Sequence, residues 1–217
     1  MPIDDALNQL TPIKTNSHYI VLPRSSSYPE LLVSKEIKYL GKNWYEAHEE
    51  LKKEDSLMLT IRQFIDFLNL LKSGNVHDEN GNDIKDQESK FILEDILNER
   101  NIFRAEWLNA MFKQRKKMLE IVKQGEASTH FKDPYLIQNK TPGINLDYWL
   151  ANATPHGLPP KYIPDGNLFY RHPLKNSVAE FGTISGAVFL DCGVKPQFSI
   201  SKLGVRQAKI RSKYANR

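Results

Sequence analysis

Cysteine is almost missing from this 217-residue chain: the single Cys192 excludes an internal disulfide framework and any multi-cysteine zinc site. A reducing compartment is therefore the default expectation. No run approaches the ~18 consecutive apolar residues of a membrane span. The opening Met1-Pro-Ile-Asp-Asp-Ala6 is acidic and has neither the basic nor the apolar region of a secretory signal. The expectation is a cytoplasmic location, with surface display needing some other route.

Proline is absent from residues 30–133, although the chain contains twelve. The central block can accordingly carry long regular elements, flanked by irregular or extended segments. Charge of one sign is scarce too. The net +4 comes from 30 basic and 26 acidic residues. Six of the basic ones (Lys202, Arg206, Lys209, Arg211, Lys213, Arg217) lie in an acid-free stretch at the end. Residues 1–201 thus hold 24 basic against 26 acidic, and the basic character reads as a tail over 207–217.

Within the central block, Thr60 and Gln63 form a capping box, and Ile61, Phe64, Ile65, Leu68 and Leu71 follow helical spacing up to Gly74. The spacing predicts a helix over 60–73, a second over about 91–100, and a third over 105–124. That third helix would place Lys113–Lys117 on a solvated face. Tyr19–Leu22 and Leu31–Val33 read as early strands, Leu168–Tyr170 as extended. Val188–Gly193 alternates with period two, Val188, Leu190 and Cys192 on one face and Phe189, Asp191 and Gly193 on the other. The whole reads as one α+β domain whose terminal segments pair.

Catalytic signals are few. The six histidines share no ligand spacing, and His48-Glu-Glu-Leu-Lys52 lacks the second histidine of the helical zinc motif. Asp78–Asp83 begins like a calcium loop, but Asp83 and Ser89 stand where glycine and glutamate are needed. There is no nucleophile elbow and no phosphate-cradling glycine loop. Cys192, on the apolar side of its strand, reads as a small buried hydrophobe. No metal, cofactor or catalytic residue is expected. An enzyme would need His156 or His172 gathered beside Asp165.

Ser177-Val-Ala179, Phe181, Ser185, Leu190, Cys192, Pro196, Ser199 and Leu203-Gly-Val-Arg206 together resemble the variable region of proteins diversified by diversity-generating retroelements. The likeness is to archaeal members with a C-type lectin fold related to formylglycine-generating enzymes. It covers about the last third of the chain, with the variable region about 177–210. The resemblance implies a C-type lectin-like domain over 1–217 with a helical central insertion. In that family an error-prone reverse transcriptase mutates template adenines. An AAC-type codon can then yield Phe, Ile, Val, Gly, Asp or Thr, but not Lys, Glu or Gln. Gly182, Thr183, Ile184, Gly186, Phe189, Asp191, Gly193, Val194, Phe198 and Ile200 are reachable in this way; Glu180, Lys195, Gln197 and Lys202 are not.

The resemblance therefore implies a hypervariable ligand-binding protein rather than an enzyme, with those ten residues facing solvent. A protein surface is the expected ligand. Phe189, Phe198 and Ile200 would be apolar anchors and Asp191 a polar contact. Adjacent Phe189 and Leu190 cannot both face inward on a half-buried strand, which places Phe189 outside. The paired active-site cysteines of formylglycine-generating enzymes are absent. So are the Glu-Pro-Asn and Gln-Pro-Asp motifs of calcium-dependent sugar-binding lectins, and calcium-dependent sugar binding is not expected. The alternative is a nucleic-acid-binding module using the basic tail.

Overall fold

The computed structural model describes residues 17–97, 103–115, 118–124, 129–131, 140–184 and 187–211. Four helices are assembled with a mixed sheet. In chain order the elements are β1 (Tyr19–Leu22), β2 (Leu31–Lys38), α1 (Trp44–Lys53), β3 (Leu57–Met58), α2 (Ile61–Ser73), α3 (Asp86–Leu97), β4 (Arg104–Arg115), β5 (Met118–Val122), β6 (Thr129–Phe131), β7 (Lys140–Ile144), α4 (Leu146–Asn152), β8 (Leu168–Arg171), β9 (Ser177–Ile184), β10 (Ala187–Val194) and β11 (Leu203–Ile210). The main path across the sheet is β1-β2-β11-β4-β9-β10-β8-β7.

The capping logic of the sequence is realised in α2. Thr60 accepts from the Gln63 amide at 3.2 Å, Gln63 Oε1 accepts from the Thr60 amide at 2.8 Å, and Gly74 closes the helix at φ +70°. A second capping box, Asn43 with Glu46, starts α1 and lies outside the helices expected from spacing. The acidic turn at Asp78 is closed by its own backbone: the carboxylate accepts from the Asn80 and Asn82 amides, both at 2.9 Å.

The expected third helix is instead the strand pair β4–β5. Its residues alternate rather than spiral. Glu106, Leu108, Ala110 and Phe112 are buried, and so are Ala105, Trp107, Asn109 and Met111. Both sides of β4 are covered over Ala105–Phe112, so apolar residues fall on both faces and its period-two signal vanishes. Pairing with β9 from Arg104 to Phe112 then outweighs the local helix preference of its Ala, Leu, Met and Lys residues. Lys113 is exposed near the end of β4, and Lys116 and Lys117 lie outside the described residues.

Two cores sandwich the sheet. On one face α2 and α4 pack onto Phe181, whose ring centroid lies 5.0 Å from Phe64 and 6.1 Å from Trp149. Cys192 belongs to this core and is fully buried, as its strand pattern suggested. On the other face α1 sets Trp44, Ala47 and Leu51 against Ala105, Trp107, Phe189 and Leu203. The indole of Trp107 donates to Lys42 O and that of Trp44 to Leu108 O, each at 3.0 Å.

The two ends of the chain pair, as expected, through β2 and β11. This pairing corrects the reading of 207–217 as a basic tail. Arg206 is 1% exposed and forms a bidentate pair with Glu106 at 2.6 and 2.9 Å, with its remaining nitrogen donating to Ser34 O and Lys35 O. Gln207 is buried, donating to Glu54 and Ser56 at 2.7 Å each. Residues 207–210 are thus part of a sheet strand, buried at Gln207 and Ala208 and exposed at Ile210, and 212–217 lie outside the described residues.

Candidate ligand-binding surface

The geometry of the surface follows from one topological fact. β4 is antiparallel to β9 and β9 to β10, so β10 runs in the same direction as β4; β11 is also parallel to β4. The connection Lys195–Lys202 must therefore carry the chain back along the length of the sheet, across one of its faces. Trp44 N donates to Pro196 O at 3.1 Å and Gly41 N to Leu203 O at 2.9 Å, which puts the crossing on the α1 face.

The return is short. Leu203 is level with Ala105, hence with Gly182 and Phe189, five residues back from Val194. A bulge makes that only four residues on β9, Gly182 to Val178, so the span is about 13 Å along the strands and about 14 Å across three strand spacings, or ~19 Å in all. Nine Cα–Cα steps reach at most about 32 Å, and the strap must also rise over the sheet. The remaining length is taken up by two tight turns, Phe198 N→Lys195 O and Leu203 N→Ile200 O, both 2.9 Å.

This strap carries two of the sequence-predicted positions into solvent. Phe198 is 43% exposed and Ile200 38%. Beside it runs the β2–α1 turn, whose Leu40 and Tyr45 are also exposed. The segments touch: a Cβ on Gly204 would lie 3.0 Å from Leu40 Cδ2, and one on Gly41 3.9 Å from Ser201 Cα. Leu40 and Tyr45 were not foreseen. Their signal was an apolar stretch, Tyr39-Leu-Gly-Lys-Asn-Trp-Tyr45, standing where a polar turn belongs.

Other predicted positions divide. Ile184, beside the β9–β10 turn, is exposed; Gly186 lies outside the described residues. Asp191 is partly exposed, bridged to Arg171 at 3.4 Å and accepting from Gly193 N at 2.7 Å. Four positions are not on the surface. Phe189 is only 7% exposed, stacked on Phe103 with centroids 5.9 Å apart. The alternation of Phe189 and Leu190 is as expected, but each face has a core of its own, so both are inside. Val194 belongs to the same second core, and Thr183 is buried on the opposite face. Gly182 is buried as well: a Cβ there would lie 2.4 Å from Arg104 O, a clash with backbone.

Beneath the Asp191 position sits Glu180, its cross-strand partner, 5% exposed with Oε2 unbonded among the described residues. Burial, helped by the Asp191 charge, pushes its carboxyl up to about 8. His48 is buried against the Trp44 ring, and burial drives it down to about 4. Asp165 precedes β8 and His172 follows it, so the strand holds them at opposite ends. Among the described residues no three His, Cys, Asp or Glu side chains form a metal-sized cluster, and no helix is long and apolar enough to cross a membrane.

Comparison with protein-family models, with curated proteins and with solved structures found no match to this chain.

Proposed function

We propose that the chain is a hypervariable ligand-binding protein diversified by a retroelement, displaying variable side chains on a C-type lectin scaffold. The resemblance of residues 177–210 motivates the reading, and the architecture is compatible with it. An early strand, β2, pairs with the late strand β11, helices lie between the early and middle strands, and β11 returns beside the antiparallel trio β4-β9-β10.

The observation that carries the proposal is the strap, whose Phe198 and Ile200 stand exposed on a tethered backbone. Exposed apolar groups beside one another favour a protein ligand, because a rigid aromatic anchor gains contact area at little entropic cost. In this reading the variable surface comprises Ile184, Asp191, Gly193, Phe198 and Ile200, with Gly186, which lies outside the described residues, still among the candidates; the burial of Phe189, Thr183, Val194 and Gly182 supports a scaffold role for them.

Sequencing the DNA around the coding region tests the diversification. The expected result is a reverse-transcriptase gene and a near-copy of codons 177–210, with adenine-directed differences concentrated at codons 184, 186, 191, 193, 198 and 200. Absence of the near-copy, or changes spread evenly over the buried codons, would overturn the proposal.

A further inference from the structure

We infer that the partner of this surface is an acidic protein segment, one in which carboxylates flank an apolar or aromatic side chain. The inference rests on the ligand-binding reading and names the chemistry of the ligand. Its basis is the charge around the exposed apolar residues. The strap reads Lys195-Pro-Gln-Phe-Ser-Ile-Ser-Lys202, with a lysine at each end and no acidic residue between. The neighbouring turn, Ile37–Tyr45, adds Lys38 and Lys42 and again no acid.

The nearest carboxylates belong to α1 and its C-terminal cap: Glu50 and Glu54 are paired with lysines, while Glu46 and Glu49 are exposed. Glu46 accepts from the Asn43 amide in the capping box. Glu50 is bonded to Lys53 at 2.9 Å and lies 3.8 Å from Lys42. Glu54 accepts from Tyr39 and Gln207 and lies 3.6 Å from Lys38. The strap lysines are different: both are exposed, and neither is in an ion pair with a described residue. Along the strap, beside Phe198, Ile200 and the neighbouring Leu40, the charges free to meet a ligand are thus the two lysines, whereas exposed Glu46 and Glu49 lie on the far side, along α1 beyond Tyr45. Complementarity across such an interface steers encounter and rejects like-charged partners, while the apolar centre supplies affinity.

A polyanion such as single-stranded nucleic acid would use the same lysines. It would not require Leu40, which is aliphatic and offers no stacking face. A protein segment uses both sets of groups, and the adjacency of the two favours it.

The test is selection of a displayed random dodecapeptide library on the full-length protein. Recovered peptides are then resynthesised and measured by fluorescence anisotropy, beside an oligo-dT twenty-mer. The expected peptides are enriched in Asp and Glu around an apolar residue. Their affinity should fall at least tenfold with Leu40→Ser or Phe198→Ser, and at least tenfold with the Lys195→Glu/Lys202→Glu pair. All these changes are at exposed positions, and circular dichroism checks that each variant melts as the parent does. Peptides that depend on Phe198 but are neutral or basic would overturn the acidic partner and leave the ligand-binding reading standing. Recovery of no Phe198-dependent peptide would overturn both. Tight oligo-dT binding lost in the lysine pair yet indifferent to Leu40→Ser would transfer the surface to nucleic acid and refute the inference.

Discussion

Phe189→Ala separates a scaffold role from a contact role more sharply than any other substitution. The side chain is 7% exposed, lies in the core of Trp44, Trp107 and Leu203, and stacks on Phe103 with an interplanar angle of 23°. Truncating a buried phenylalanine costs about 3–5 kcal/mol, of which an aromatic pair accounts for about 0.5–1.5. Partial exposure of the neighbouring Phe103 lets the site relax, so the lower end, about 3 kcal/mol, is expected. For a chain of this length that corresponds to a fall of roughly 6–12 °C in Tm. Urea unfolding followed by circular dichroism should show a lowered midpoint with an unchanged slope. Phe198→Ala is the internal control. It is the same chemical change at a position 43% exposed, and it should cost less than about 1 kcal/mol. If Phe189→Ala proved as mild as Phe198→Ala, the second core would not exist as described and Phe189 would return to the surface.

Three further outcomes follow from buried charge and sheet pairing. Arg206→Met strands the Glu106 carboxylate and should destabilise by about 3–5 kcal/mol, whereas adding Glu106→Leu should recover much of the loss in the same urea assay. Ending the chain after Arg206 removes Gln207–Ile210 from β11 and should abolish cooperative unfolding; a well-folded product would show that the segment is a dispensable tail. Glu180 binds its proton more tightly folded than unfolded, with a carboxyl at about 8 against an ordinary value near 4.5. Its contribution is therefore fully present below pH 4.5 and lost as pH rises to about 8, at up to just over 1 kcal/mol per pH unit. Glu180→Gln should flatten that decline in Tm against pH, and an unchanged profile would count against the burial.

What could be read from the sequence and what could not differ for physical reasons. The α2 helix was legible because both its signals are local: a capping box and a one-sided apolar stripe. Pairing between the early and late parts of the chain was suggested by strands expected near 19–33 and 188–193, but the partner of β2 is β11, part of which had the charge of a tail. β4 was misread because it is covered on both faces, which erases the alternation that marks a half-buried strand. The same cause misplaced Phe189. Period two correctly separated Phe189 from Leu190, but periodicity reports which face a residue is on, not whether that face is wet. Arg206 illustrates the converse. It stands in an acid-free run that gave no hint of an ion pair, and its partner Glu106 is a hundred residues away, joined only by a parallel strand pair.

The two glycines of β9 and β10 show how finely that distinction divides the proposed surface. Gly182 and Gly193 are both reachable by adenine mutagenesis and lie on the same face of the sheet. A Cβ at Gly182 would meet Arg104 O at 2.4 Å and Ala105 Cα at 2.8 Å, and neither backbone atom can move without shearing β4 from β9. A Cβ at Gly193 would meet Arg171 Nε at 2.9 Å, near the end of a flexible side chain that is almost half exposed. Gly182→Ala should therefore cost about 1–3 kcal/mol, the range for overpacking, and Gly193→Ala less than about 0.5 kcal/mol. Paired urea titrations of the two variants measure the difference. Equal costs would mean that the sheet yields at Gly182, and the division between scaffold and variable positions would then have to be drawn on something other than packing. A large difference would leave Gly193 open to any residue the codon can supply and Gly182 closed to all of them, because the clash begins at the Cβ that every replacement shares.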